Sequence, residues 1–160
     1  MPDKQDDLAR ISIDAPNVTE ARKYVFRGDE SYRGGPVGRE LGDEADAADI
    51  QDFADHVLRK ESTRSSRFTS FTRELKIARL IFTSGTDNCL VIKVEFSRLQ
   101  ELKSRGVLRI WEADQVFDSL SHGPGKLAKR AKDVRTAMQR NRELLIEGQI
   151  PAESLYPVYS

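Results

Sequence analysis

A chain of 160 residues is long enough for one domain with a core of its own. Hydrophobic residues make up 38% and charged residues 32%, which excludes a disordered or low-complexity composition. Lys and Arg number 26 and Asp and Glu 26, so the net charge of zero points to neither a nucleic-acid nor a membrane partner for the chain as a whole.

A single cysteine, Cys89, cannot close an internal disulfide, and its place in Cys89-Leu90-Val91-Ile92 reads as a core thiol. The two histidines, His56 and His122, lie far apart with no Cys or His at ligand spacing, so no metal is expected. The polar, acidic residues 1–7 lack the apolar core of a secretory signal. No apolar run approaches the ~20 residues that span a bilayer. The expectation is a chain that acts in a cytoplasm, of the producing or of a target cell, with no membrane partner.

Residues 1–20 read as a loose lead-in, followed by one domain over 21–160. Aromatic and β-branched residues in Arg22-Lys23-Tyr24-Val25-Phe26-Arg27-Gly28 predict a strand. Gly28, Gly34, Gly35, Pro36 and Gly38 then mark a loop. Residues 44–59 carry Ala45, Ile50, Phe53, Ala54, Val57 and Leu58 at helical spacing. Seven acids and no Lys or Arg lie between Glu40 and Asp55, either a solvated helix face or an acidic side of the molecule. A polar linker at 62–66 leads into a strand at 68–72, a short helix at about 73–83 and a turn at 85–88. Residues 90–96 are apolar enough for a central strand, and 107–111 suit a shorter one. After His122-Gly123-Pro124-Gly125, Leu127, Ala131, Val134 and Met138 place a helix over about 126–140. Leu144-Leu145-Ile146 predicts the last strong strand, and a turn at 148–151 leads into a short strand over 155–159. No internal repeat is visible.

Three polar positions sit on or beside apolar strands, where an unpaired polar group costs roughly 1–3 kcal/mol. Arg27 ends the first strand. Ser70 and Thr72 interleave with Phe68 and Phe71. Glu143 precedes Leu144. Each has an ordinary explanation: an ion pair, an edge strand, a solvated acid.

Together they follow a known order. Tyr24-Val25-Phe26-Arg27-Gly28-Asp29 resembles the first motif of the Arg-Ser-Glu, cholera-toxin-like class of mono-ADP-ribosyltransferases, an aromatic strand ending in Arg. Phe68-Thr69-Ser70-Phe71-Thr72 is similar to their Ser-Thr-Ser strand, with Ser70 in the leading position and Phe71 in place of the central Thr. Residues 143–155 resemble the third motif, in which Glu opens a strand and a Gly-x-Ile-Pro turn follows; Gly148-Gln149-Ile150-Pro151 stands there. The resemblance covers residues 24–155.

The resemblance implies an α+β fold of the ADP-ribosyltransferase type: a split β-sandwich of two small antiparallel sheets face to face around an NAD⁺ cleft, with peripheral helices. It implies a bacterial toxin or effector that moves ADP-ribose from NAD⁺, its substrate, to a protein or nucleic-acid acceptor. Such a toxin allows for a neutralising antitoxin or immunity protein. A planar guanidinium suits a pyrophosphate, the role this gives Arg27, with Gly28 beside it. Cleavage of the nicotinamide–ribose bond passes through an oxocarbenium-like state, and Glu143 would stabilise it. Ser70 would orient Glu143, while Thr72 would stiffen its strand or touch the ribose. Phe71 and Phe82 are candidates to stack on nicotinamide, with plain core packing as the other reading of each. Glu153 takes a structural position in that pattern.

The match departs at target recognition. Many arginine-modifying members carry Glu two residues before the catalytic Glu, and others Gln; this chain has Asn141 there, with Gln139 two further back. That leaves the acceptor open. Residues 126–142 hold seven positive residues against one negative, Asp133. This is either a solvated face or the seat of an anionic partner beside the site. Two alternatives stand beside the transferase: an NAD⁺ glycohydrolase using the same site with water, and an inactive module of the same fold that holds nucleic acid.

Overall fold

The computed structural model describes residues 23–29, 32–41, 54–59, 67–80 and 90–158. The lead-in, the acidic stretch from 42 to 53, the 62–66 linker, Phe82, the 85–88 turn and Cys89 lie outside the described residues.

Six strands form one antiparallel sheet in an α+β arrangement: β1 (Tyr24–Gly28), β2 (Phe68–Thr72), β3 (Val91–Glu95), β4 (Leu108–Trp111), β5 (Glu143–Gly148) and β6 (Tyr156–Val158), in the order β4-β5-β2-β1-β3-β6. The helices are α1 (Leu75–Leu80), α2 (Phe96–Ser104), α3 (Ala113–Ser121) and α4 (Gly125–Arg140). A π-helical turn covers Asp55–Arg59, and a 3₁₀ turn covers Ala152–Ser154.

Strand alternation sorts the side chains into two layers. On one face Val25, Phe71, Ile92, Val94, Leu144 and Ile146 pack with Leu99 and Leu102 of α2. On the other, Phe68 and Leu145 pack with Val116 and Leu120 of α3 and the Leu127, Ala131, Val134 and Met138 stripe of α4. The same face of β1 and β3 holds Phe26 and Val91 under Ala78 of α1. The α4 stripe follows the helical spacing of its apolar residues. Helices α2 and α3 were not expected; each is only nine residues long and buries just two residues, too few to set a period. One signal for α3 was present: Gln115 Oε1 accepts the backbone N–H of Glu112 at 2.8 Å, one half of a capping box.

Where two face-to-face sheets are expected, the described strands form a single sheet with a weak seam. β1 pairs with β3 over five residues and β2 with β5 over five, but β1 meets β2 at one pair, Phe26↔Thr72. Continued in register, Gly28 would stand opposite Ser70. The pairing stops before that point, and the Arg27 guanidinium Nη1 donates to the Ser70 carbonyl at 3.2 Å, in place of a backbone donor.

The far end of β5 is pinned by close backbone approach. Val37 and Ile150 exchange backbone hydrogen bonds at 3.1 and 2.7 Å, which ties the Gly-rich loop to the turn after β5. Gly148 has φ +124°, and a Cβ there would lie 2.7 Å from Leu108 Cβ and 2.8 Å from Val107 O. Gly148→Ala is therefore expected to lower stability by about 2–4 kcal/mol, combining backbone strain with overpacking. Gly106→Ala, also at positive φ but with nothing within 4 Å, should cost only about 1 kcal/mol. Urea midpoints of the two variants measure the difference; equal midpoints would contradict the account.

Candidate active site

Glu143 is the first residue of β5, delivered by a tight reversal from α4. Asn141 caps the helix and Arg142 sits at φ +48°, a left-handed conformation that costs a non-glycine residue roughly 1–2 kcal/mol. The end of β2 holds the reversal in place. Thr72 Oγ1 donates to the Asn141 carbonyl at 2.7 Å, and the Arg73 N–H donates to the Arg142 carbonyl at 3.1 Å. Glu143 thereby enters the sheet directly opposite Thr72.

On that face Ser70 and Glu143 meet. Ser70 Oγ donates to Glu143 Oε2 at 2.6 Å, with the two residues 5% and 3% exposed. A third residue completes the arrangement: His56 Nε2 lies 2.7 Å from Ser70 Oγ, with the ring 2% exposed. The single hydroxyl proton is committed to the carboxylate, so Ser70 Oγ accepts from His56, and Nε2 carries the proton. The imidazole is further fixed edge-on against Phe68, at 6.1 Å between centroids and 77° between planes. The donor order is His56 to Ser70 to Glu143. A hydrolytic triad runs differently, with the serine donating to the imidazole and the imidazole's far nitrogen facing the acid. This serine is a bridge to a carboxylate.

Arg27 reaches the same position on β2 by another route. Alternation puts it on the Val25 side of β1, away from the face that carries Ser70 and Glu143. Its guanidinium touches Ser70 at the carbonyl, in the seam, and lies 3.7 Å from Asp29 Oδ2. Burial lowers its pKa from the ordinary value, opposed by the charge and hydrogen bonding of Asp29, and the group stays a cation. Gly28 closes β1 opposite Val91.

The other expected residues fall apart by role. Phe71 is 0% exposed and packs in the α2-side core. It is a core residue, not a stacking platform, because the pleat turns it away from Ser70. Phe82 lies outside the described residues. Thr72 is also 0% exposed, and its hydroxyl is fully engaged, donating to Asn141 and accepting the Glu74 N–H at 3.1 Å. Gln139 is exposed near the C-terminal end of α4 and Asn141 is half-buried in the turn before Glu143. Glu153 is exposed on the 3₁₀ turn.

The same strand carries a second buried acid, Glu147. Its Oε2 accepts from Arg67 at 3.3 Å and Arg109 at 3.1 Å, and its Oε1 from the Trp111 indole at 3.1 Å. Glu147 is thus bound up in structure. His56 is the site residue that sequence reading missed. Its only signal was a place between the apolar residues Ala54 and Val57, which marks a buried histidine but not its partner.

Among the described residues no helix is long and apolar enough to cross a membrane. No group of three or more His, Cys, Asp or Glu among them could hold a metal ion. No family model, curated protein or solved structure matches the chain.

The two acids should separate by stability. Glu147→Ala removes an acceptor shared by two arginines and an indole and should cost about 2–4 kcal/mol, with a shift in the emission of the single tryptophan, Trp111. Glu143→Gln keeps a hydrogen-bond acceptor for Ser70 and should cost about 1 kcal/mol or less. Urea unfolding followed by fluorescence reads both, and a reversed order would sink the assignment.

Proposed function

We propose that the chain is an NAD⁺-dependent mono-ADP-ribosyltransferase, a toxin or effector that transfers ADP-ribose to a macromolecule. The observation that carries this reading is the 2.6 Å bond from Ser70 to Glu143, two buried residues 73 positions apart that the resemblance pairs in the same roles. The seam between β1 and β2, with Arg27 in it, fits the divided sheet of that family.

In this reading NAD⁺ is the substrate. Arg27 binds its pyrophosphate through two parallel N–H donors, and Gly28 lets the dinucleotide approach the backbone. Glu143 stands at the ribose. As the bond between ribose C1′ and the nicotinamide nitrogen breaks, its electron pair goes to that nitrogen and positive charge grows on the ribose. A carboxylate already fixed in place stabilises that charge without reorganising. The acceptor's nucleophile then bonds to C1′ and its proton passes to water. Ser70 and His56 are positioning residues: they hold the carboxylate's Oε2 in one orientation and touch no reacting atom.

The test is incubation of the full chain with labelled NAD⁺ and cell lysate. Nicotinamide release is expected to fall at least about 100-fold in Glu143→Gln and about 10-fold in Ser70→Ala, with circular dichroism unchanged. Undiminished release by Glu143→Gln would end the reading. Release without label on any polymer would make water the acceptor and the activity a glycohydrolase.

A further inference from the structure

We infer that the exposed face of α4 is a docking surface for single-stranded nucleic acid, and that such a strand is the acceptor. The acceptor's identity rests on the reading above; the docking surface itself does not.

Four cations of α4, Lys126, Lys129, Lys132 and Arg140, are exposed. Among the described residues none of the four forms an ion pair. The other cations of this stretch are occupied or less open: Arg130 is half-buried, Arg135 stacks on Phe117 at 3.8 Å, and Arg142 lies 3.6 Å from Glu74. From Lys126 to Arg140 the helix rises about 21 Å. Among the described residues the acids near it are Asp133 on the helix itself, and Asp114 and Asp118 exposed on α3. Cations held together on a rigid element without internal partners repel one another, and a polyanion that displaces their counterions removes that cost.

The surface ends close to the site in the chain. The helix C-terminus passes through the clamped Asn141-Arg142 turn into Glu143, so Arg140 stands three residues before the carboxylate. One observation weighs against a lipid surface and a second against a duplex. The large hydrophobic residues exposed among the described ones are Leu80 and Tyr156, neither on α4, so the helix offers no apolar face for a bilayer. Glu143 is 3% exposed. The nucleophile therefore has to arrive on a thin projection, and an unpaired base or ribose of a single strand can swing out where a duplex holds its bases stacked. Recognition through phosphates carries no sequence code.

The experiment uses the full chain and fluorescent single-stranded RNA and DNA of about 16 nucleotides. Anisotropy should show binding of both, weakening about 50-fold between about 50 and 200 mM salt, as four phosphate contacts dictate. The triple variant Lys126→Glu, Lys129→Glu, Lys132→Glu should bind at least about 30-fold more weakly. It should still release nicotinamide from NAD⁺ at the wild-type rate in the absence of acceptor, which also shows that it is folded. Lys103→Glu with Arg105→Glu, exposed at and just beyond the end of α2, should bind like the wild type. Label from NAD⁺ on the oligonucleotide, lost in the α4 variant, would complete the case. Failure of the wild type to bind either oligonucleotide, or binding indifferent to the α4 charges, overturns the docking surface. Labelling of a lysate protein instead of the oligonucleotide overturns the nucleic-acid acceptor while leaving the transferase standing. Charge-dependent binding with no nicotinamide release does the reverse: the surface stands and the NAD⁺ reading falls.

Discussion

The hydroxyl of Ser70 has one proton to give, and the arrangement of the site follows from where it goes. Directed at Glu143 Oε2, it satisfies one oxygen of a carboxylate that β5 buries. That leaves the serine oxygen as an acceptor, which His56 fills. The three side chains come from a π-helical turn, a central strand and the start of another, so the register of β2 against β5 and the seat of the turn on Phe68 must both be right. A one-residue slip of β2 would turn Ser70 into the α2-side core and bring Phe71 to Glu143.

The strand that carries Ser70 shows how burial and polarity are reconciled. All five residues of β2 are buried, three of them hydroxyl-bearing. Ser70 serves Glu143, and Thr72 serves the turn that presents Glu143. The left-handed Arg142 is tolerated because Asn141 and Arg142 both give their carbonyls to donors at the end of β2. Strain at one residue is thus exchanged for an abrupt reversal that lets the acid enter the sheet at a fixed height.

The seam between β1 and β2 is the complementary feature. A fully zipped sheet would leave no opening beside Ser70, whereas a single backbone pair leaves the carbonyl of a central strand available to a guanidinium. In the proposed reaction that guanidinium meets a pyrophosphate. Its place in the seam, and not among the side chains of the Ser70 face, means that the ligand would have to enter between the two halves of the sheet. Helix α4, which carries the exposed cations, packs through its apolar stripe on the face of the sheet that holds Ser70 and Glu143.

The local chemistry of the chain pointed to strands at 22–28, 68–72, 90–96 and 144–146 and to the long helix ending before Glu143, because β-branched and aromatic runs and a helical apolar stripe are properties of neighbours in sequence. It also singled out Ser70 and Glu143, since polar residues in apolar strands need partners. It did not determine how each of the two acids of β5 is engaged. Glu143 and Glu147 share a strand and a face, and only the convergence of Arg67, Arg109 and Trp111 commits one of them to structure. Nor could it assign His56 to Ser70, bury Phe71 away from the site, or join two expected sheets into one. Those outcomes depend on strand register and on which residues the pleat brings to the same side, and a linear pattern carries neither until distant segments are packed together.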